Sequence, residues 1–293
     1  MNTTTTTITT MEKKTRILNL KSHAKINLFL DVIGKRKDNF HQIRTIFSEI
    51  DLSDKLSFFL TEKTDIKILA STDFLETKEN LIYKVAFFIK NKYKVKKGVE
   101  IYLEKNIPIS AGLGGGSSNA ATTIMALSEL WELDLSDDEK NEISKKFGSD
   151  INFFLVGGTA LGEGRGEEIT PLKDIFMENI FLVNPGFPVS SREAYELAEI
   201  SNYENNNWKL FLETFDVTYC YNSLQQGIMQ KFPEIKEIID YLENHGATKA
   251  MLSGSGATVI GFFPDFVTAQ KSADYYSKKN YWNYITKTKR RTR

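Results

Sequence analysis

The run Gly112-Leu113-Gly114-Gly115-Gly116-Ser117-Ser118 constrains this chain more than any other stretch. So little side chain in so short a span lets the backbone turn tightly and lets another group approach it closely. Before it, Val99, Ile101 and Leu103 alternate with Glu100, Tyr102 and Glu104, the period of a half-buried strand. After it, Ile124, Leu127 and Trp131 recur at helical spacing and predict a helix over 117–131. A strand, a turn of glycines and a helix start leave amides unpaired where an anion can reach them, and a phosphate chain needs such donors. Ser117 and Ser118 add hydroxyls, and either could cap the helix. No Lys-Ser/Thr pair ends the run, so it is not a Walker loop. The third glycine of G-x-G-x-x-G falls on Ser117, so it is not a dinucleotide fingerprint. A plain turn with a serine cap is the other reading.

Around this feature the chain mixes strands and helices without regular alternation, which favours an α+β fold over a doubly wound sheet. Residues 25–33 read as a strand ending at Gly34, 34–42 as a loop, and 44–60 as strand again. Ile82, Val85, Ala86 and Ile89 mark one face of a helix over 81–93. A second helix, 137–147, stops at Gly148. The turn-rich stretch 159–168 is the expected boundary between domains over 17–165 and 166–293. Beyond it come a strand (180–183), a helix started near Ser190 or Ser191, and a helix over 233–245. The last carries Ile235, Ile238, Ile239 and Leu242 on one face, with Pro233 at its first position and Gly246 past its end. Strands over 248–252 and 257–263 flank a second glycine turn, Gly254-Ser255-Gly256, and a helix and a strand over 282–286 close the chain.

Charge narrows the partners. Lysine plus arginine and aspartate plus glutamate number 38 each, so no global field favours nucleic acid or an anionic membrane. An anionic substrate must be held by local cations and amides. The single cysteine, Cys220, can form no internal disulfide, which fits a reducing cytoplasm. No apolar run of about 18 residues is present to span a membrane. The threonine-rich start, 1–16, lacks the apolar stretch of a secretory signal and is expected as a disordered extension, while 287–293 is expected as a solvated tail.

The stretch PISAGLGGGSSNAA closely resembles the phosphate-binding motif of the GHMP kinase superfamily. AKINLFLDVIGKRKDNFH resembles its amino-terminal motif, and LSGSGAT its third. The first block, with FGSDINFFLVGGTALGEGRGE, narrows the resemblance to kinases acting on 4-diphosphocytidyl-2-C-methyl-D-erythritol in the non-mevalonate isoprenoid pathway. The resemblance covers the chain from about residue 17 onward. It implies a two-domain GHMP kinase fold: an N-terminal domain like domain 2 of ribosomal protein S5, a ferredoxin-like C-terminal domain, and an active site between them. It implies transfer of the γ-phosphoryl group of ATP to the 2-hydroxyl of the substrate. Mg²⁺ is expected to neutralise the triphosphate, held mostly by phosphates and water because the sequence offers no carboxylate cage.

The resemblance also implies roles. Lys25, an odd cation at the start of an apolar strand, matches a lysine at the acceptor hydroxyl; a lysine snorkelling at a strand end is the other reading. Asp150 matches the aspartate that accepts or orients the hydroxyl proton, although an aspartate there could equally be a helix N-cap. Asn27, on the side of the strand that Lys25 occupies, would bond substrate hydroxyls. Lys105, Pro108, Ile109, Ser110, Ala111, Gly112, Leu113, Gly114, Gly115, Gly116, Ser117, Ser118 and Asn119 match the ATP site, with Asn80 a further candidate. Phe40 and Tyr195 would sandwich cytosine, with His41 at its polar edge and Ser191 nearby. Gly254, Ser255 and Gly256 would bring backbone to the substrate phosphates. The chain departs from the pattern at Phe40, where tyrosine is usual, and at Asn152, where proline is frequent. Implied partners are a small cytidine diphosphate substrate, no nucleic acid and no membrane, for a monomer or homodimer. Rival readings are a homoserine or mevalonate type kinase, an inactive nucleotide-binding regulator and an RNA-binding module; zero net charge and no basic-aromatic stripe weigh against the last.

Overall fold

The apolar run near the start forms the middle of β1 (Ile17–Lys35), buried on both faces from Ala24 to Val32. A computed structural model of the chain describes residues 16–198, 200 and 205–291. Of the expected extension 1–16, only Arg16 falls within them, and Thr292 and Arg293 also lie outside.

Strand β1 pairs antiparallel with β2 (His41–Thr61), and the five residues between them replace the longer loop expected over 34–42. β3 (Ile66–Ala70), α1 (Leu81–Lys92) and β4 (Gly98–Glu104) follow, then α2 (Gly115–Leu130), α3 (Asp137–Phe147) and α4 (Ile151–Val156). The helix face expected on α1 is the one that is buried: Ile82, Val85, Ala86 and Ile89 pack with Ile124 and Leu127 of α2. Each isoleucine, valine or leucine among them contributes roughly 1.5–3 kcal/mol when fully buried.

The stretch expected as a domain boundary is a hairpin of β5 (Thr159–Glu163) and β6 (Glu168–Pro171). β5 pairs with β2, so the first sheet continues to Pro171. The second sheet starts at β7 (Ile180–Asn184). After it come α5 (Ser191–Glu196), α6 (Asn207–Thr214), β8 (Tyr221–Asn222), α7 (Gln225–Lys231), α8 (Pro233–Asn244), β9 (Lys249–Leu252), β10 (Val259–Phe262), α9 (Phe266–Lys278) and β11 (Trp282–Thr286). The second sheet has four antiparallel strands in the order β11-β7-β10-β9. With α8 before β9 and α9 before β11, that is the ferredoxin-like arrangement.

The two halves interlock. β8 pairs parallel with β1, adding a strand from the second half to the first sheet. The chain end also returns to the first sheet, contrary to the solvated tail expected for 287–293. Thr288 is buried and bridges Ile50, the Lys289 amide donates to the Glu49 carbonyl at 2.8 Å, and Arg291 donates to the carbonyls of Val156, Gly157 and Thr159. Of the basic residues expected to face water, Arg291 is fixed instead by carbonyls at the end of α4, and Lys289 lies 3.9 Å from the Glu49 carboxylate, while Lys287 and Arg290 remain exposed. Among the described residues, no helix is long and apolar enough to cross a membrane.

Candidate active site

The first glycine turn packs directly on the second. Gly112 has φ +75°, and a Cβ there would lie 2.0 Å from the Ser253 carbonyl oxygen. Gly254, at φ +53°, would press a Cβ within 3.2 Å of Gly112, Lys25 and Asn27. Asn222 of β8 holds the second turn in place, its amide donating to the carbonyls of Leu252 and Gly254, each at 2.8 Å. No glycine at these two positions could take a side chain without moving backbone.

Helix α2 begins at Gly115, two residues before the expected start, after Gly114 in the left-handed conformation. Neither Ser117 nor Ser118 caps it, contrary to expectation. Its first amides therefore have no side-chain partner, and their partial positive charge faces the cleft. The Ser118 hydroxyl is buried and accepts from Ser22 at 2.7 Å. Leu113 is buried in the core, and its carbonyl accepts the Lys25 amide at 3.0 Å. Leu113, Ser118 and Gly256, expected against ligand phosphates, do not line the cleft; the other residues expected at the ATP and substrate sites do.

That cleft measures about 1230 Å³, beyond the roughly 300–1,000 Å³ of a pocket for one small ligand. At its centre Lys25, almost fully buried, places Nζ 2.6 Å from Asn27 Oδ1, 3.1 Å from the Gly112 carbonyl and 3.7 Å from Asp150 Oδ2. Asn27 is locked in turn, donating to Thr45 Oγ1 at 2.7 Å. Burial pulls the Lys25 ammonium below the usual lysine range, and the Asp150 carboxylate opposes it. Asp150 occupies the N-cap position of α4 but makes no capping bond, so its carboxylate is left to the cleft. The snorkelling and capping readings of these two residues both fail on this geometry.

At one end of the cleft the Tyr195 ring stacks on His41, centroids 5.5 Å apart and 16° from parallel. The expected sandwich had Tyr195 facing Phe40 across a base; in this structure its stacking partner is the histidine. Phe40, half exposed, carries the Arg165 guanidinium 4.6 Å over its ring. Partial burial, then Lys35, lower the His41 pKa and so favour the neutral ring, which has one donor and one acceptor. Burial, then the Asp150 charge, raise the Tyr195 phenol. Ser191 and Ser255 lie 3.2 Å apart, hydroxyl to hydroxyl, and join α5 to the second glycine turn.

At the other end Lys105 pairs with Asp54 at 2.9 Å. Asp54 is fully buried and also accepts the amides of Asn106 and Ile107 at 2.7 and 2.8 Å. This carboxylate fixes the entry to the glycine turn, and burial lowers the Lys105 pKa against its pull. Asn80 caps α1, its side chain accepting from Ile82 at 3.0 Å. Asn119 lines the cleft with a buried side-chain oxygen that has no protein partner. Asp54, Asn222 and Arg165 are site residues that sequence reasoning missed. In sequence Asp54 is one acid within an expected strand and Asn222 an ordinary polar residue, while Arg165 falls in the stretch FGSDINFFLVGGTALGEGRGE with nothing to mark a role.

Two family models match: GHMP kinases N terminal domain over residues 80–158 and GHMP kinases C terminal over 196–281. The 4-diphosphocytidyl-2-C-methyl-D-erythritol kinase of Clostridium novyi (strain NT) is 40% identical over 277 residues, covering 92% of this chain and 99% of its own. The enzyme of that name from Thermodesulfovibrio yellowstonii is 39% identical over 285 residues, with 93% and 98% covered. A crystal structure of 4-(cytidine 5'-diphospho)-2C-methyl-D-erythritol kinase superposes with a TM-score of 0.78 at 28% identity, over 92% of this chain and 99% of that one. A homoserine kinase from Cytophaga hutchinsonii shares the fold, with a TM-score of 0.70 at 14% identity over 96% of each chain.

Proposed function

The chain belongs to the GHMP kinases, in the branch of the 4-diphosphocytidyl-2-C-methyl-D-erythritol kinases, and on that premise we propose how its cleft performs the transfer. It is an ATP-dependent small-molecule kinase of the non-mevalonate isoprenoid pathway. The γ-phosphoryl group of ATP passes to the 2-hydroxyl of 4-diphosphocytidyl-2-C-methyl-D-erythritol, giving the 2-phosphate and ADP.

The observation that carries the assignment of roles is the Lys25–Asp150 pair, 3.7 Å apart beside the glycine turn. Asp150, left uncapped, accepts or orients the proton of the attacking hydroxyl. Lys25 holds that oxygen and lowers its pKa. Phosphoryl transfer passes through a loose transition state, so fixing the oxygen in line matters more than base strength. The amides at the start of α2 take the triphosphate, with Ser117 and the Asn119 side chain beside them. Phe40, His41 and Tyr195 form the wall for cytosine, and the second glycine turn meets the substrate diphosphate.

The donor set fits Mg²⁺ held chiefly by ATP. Among the described residues no cluster of three or more acidic, histidine or cysteine side chains could hold a metal, and Mg²⁺ binds typically through one or two carboxylates plus phosphates and water. Asp150 is the carboxylate that would reach it, and the ion would offset phosphate charge. The same reading makes the protein cytoplasmic, a monomer or homodimer, without nucleic-acid or membrane partners.

Homoserine and mevalonate carry no base and would leave the aromatic wall without a purpose. The test is ATP consumption with the cytidine substrate against homoserine and mevalonate. Turnover of the first alone is expected; turnover of either other compound in its place would overturn the substrate assignment.

A further inference from the structure

Asn152 lies in the first turn of α4, two residues beyond Asp150, and both ends of its buried amide are used. Its Oδ1 accepts from the Ser144 hydroxyl of α3 at 3.0 Å. Its Nδ2 donates to the carbonyl of Glu167, in the turn between β5 and β6, at 2.9 Å. Glu167 holds Arg165: its carboxylate accepts the Arg165 amide at 2.5 Å and the guanidinium at 3.4 Å. That guanidinium lies over Phe40. The turn also abuts the carboxylate, since a Cβ on Gly166 would lie 3.9 Å from Asp150 Oδ1.

One buried side chain therefore joins the helix start that carries Asp150 to the turn that braces the aromatic end of the cleft. We propose that Asn152 is a positioning residue for the transfer, setting the distance between Asp150 and the wall that holds the base. The inference rests on the reading of the cleft as a kinase for a cytidine substrate. That acceptor is gripped at its base and reacts at a hydroxyl far along the same molecule. The hydroxyl meets Asp150 only if the two protein parts keep their spacing. Packing alone leaves a six-residue helix free to shift along its axis, whereas a donor and an acceptor on one short side chain fix it to two neighbours. The bonds are directional, so they specify where the helix starts as well as that it is buried.

The test is steady-state kinetics of Asn152→Leu and Asn152→Ala beside the wild type, varying each substrate. Both variants lose the donor to Glu167, and they differ in volume. Both should lower kcat roughly tenfold to a hundredfold, the scale of an ångström of misplacement. KM for the cytidine substrate should rise several-fold and KM for ATP should stay, because the glycine turn is untouched. In a Phe40→Ala background the KM effect should shrink, since the wall being registered is already broken. If the leucine variant does not fold, the alanine variant decides. Wild-type constants with only an earlier melt, or an equal rise in both KM values, would overturn the inference while leaving the proposed reaction standing. A wild-type chain that does not turn over the cytidine substrate would overturn that reaction, and the inference with it.

Discussion

The Lys25 ammonium bridges two sides of the cleft, lying 3.7 Å from the Asp150 carboxylate and 3.1 Å from the Gly112 carbonyl. Gly112 is in van der Waals contact with the second glycine turn, so one cation ties three sequence-distant segments together at the middle of the cleft.

Lys25→Met and Asp150→Asn should each lower kcat by roughly a hundredfold or more, the scale of a lost general acid–base group. Far-UV circular dichroism should be unchanged. The double variant should be less than multiplicative, because both side chains act on one hydroxyl. A near-normal kcat in either single variant would take that residue out of the mechanism.

The aromatic wall governs the other substrate. Phe40→Ala and Tyr195→Ala each remove a ring whose stacking on a base is worth about 1–3 kcal/mol. KM for the cytidine substrate should rise roughly tenfold, and KM for ATP should hold. Phe40→Tyr should be mild. If both alanine variants bind normally and only melt earlier, the rings are structural, and the His41–Tyr195 stack is a packing contact.

Much of this was legible in the sequence because it is local. The buried face of α1, the proline start of α8 and the strand period of β4 depend on residues a few positions apart. The glycine turns were legible too, since few other reasons exist to place so many glycines before a helix. What stayed hidden depends on distant partners. Asp54 is an unremarkable acid in a long strand until the fold lays Lys105 beside it. Ser118 sits in the phosphate motif, yet the fold turns its hydroxyl to Ser22 of β1. The tail from Lys287 to Arg291 reads as solvated because nothing nearby in sequence could bind it. Its partners are backbone carbonyls and the carboxylates of Glu49 and Asp174, far away in sequence.

Acid should weaken the fold through His23. Burial and Lys289 push its pKa down from 6.5 to about 4, with the ring Nδ1 3.2 Å from the Ile50 carbonyl. Between those values the unfolded chain binds a proton that the folded chain does not. Stability from this group is therefore complete above pH 6.5 and is lost as pH falls toward about 4. The slope should be at most about 1.4 kcal/mol per pH unit. Urea titrations of the wild type and His23→Gln from pH 7.5 downward should diverge in slope within that window. Parallel curves would show that another group carries the acid sensitivity.

The chain end makes the last prediction. Arg291 donates from Nε to the Val156 and Gly157 carbonyls at 3.1 and 3.2 Å, and from Nη2 to Gly157 and Thr159 at 3.1 and 2.9 Å. Its own amide donates to Asp174 at 2.8 Å. These carbonyls lie where α4 ends, and the backbone there is held at positive φ through Gly157 and Gly158. The tail packs so closely here that only glycine fits at 158: a Cβ on Gly158 would fall 2.2 Å from Asp174 Oδ1 and 2.9 Å from Arg291 Cβ. Arg291→Ala leaves these acceptors without their charged donor and should cost about 1.5–3 kcal/mol, the range for a hydrogen bond to a charged group. Arg291→Lys should recover only part of it, because an ammonium lacks the planar fork that meets several carbonyls together. Removing residues 288–293 should cost more than either, since the Thr288 and Lys289 contacts with β2 go as well. Chemical denaturation of the three variants gives the order directly. If Arg291→Ala melts with the wild type while the truncation does not, the tail is held by its strand contacts and the arginine is incidental.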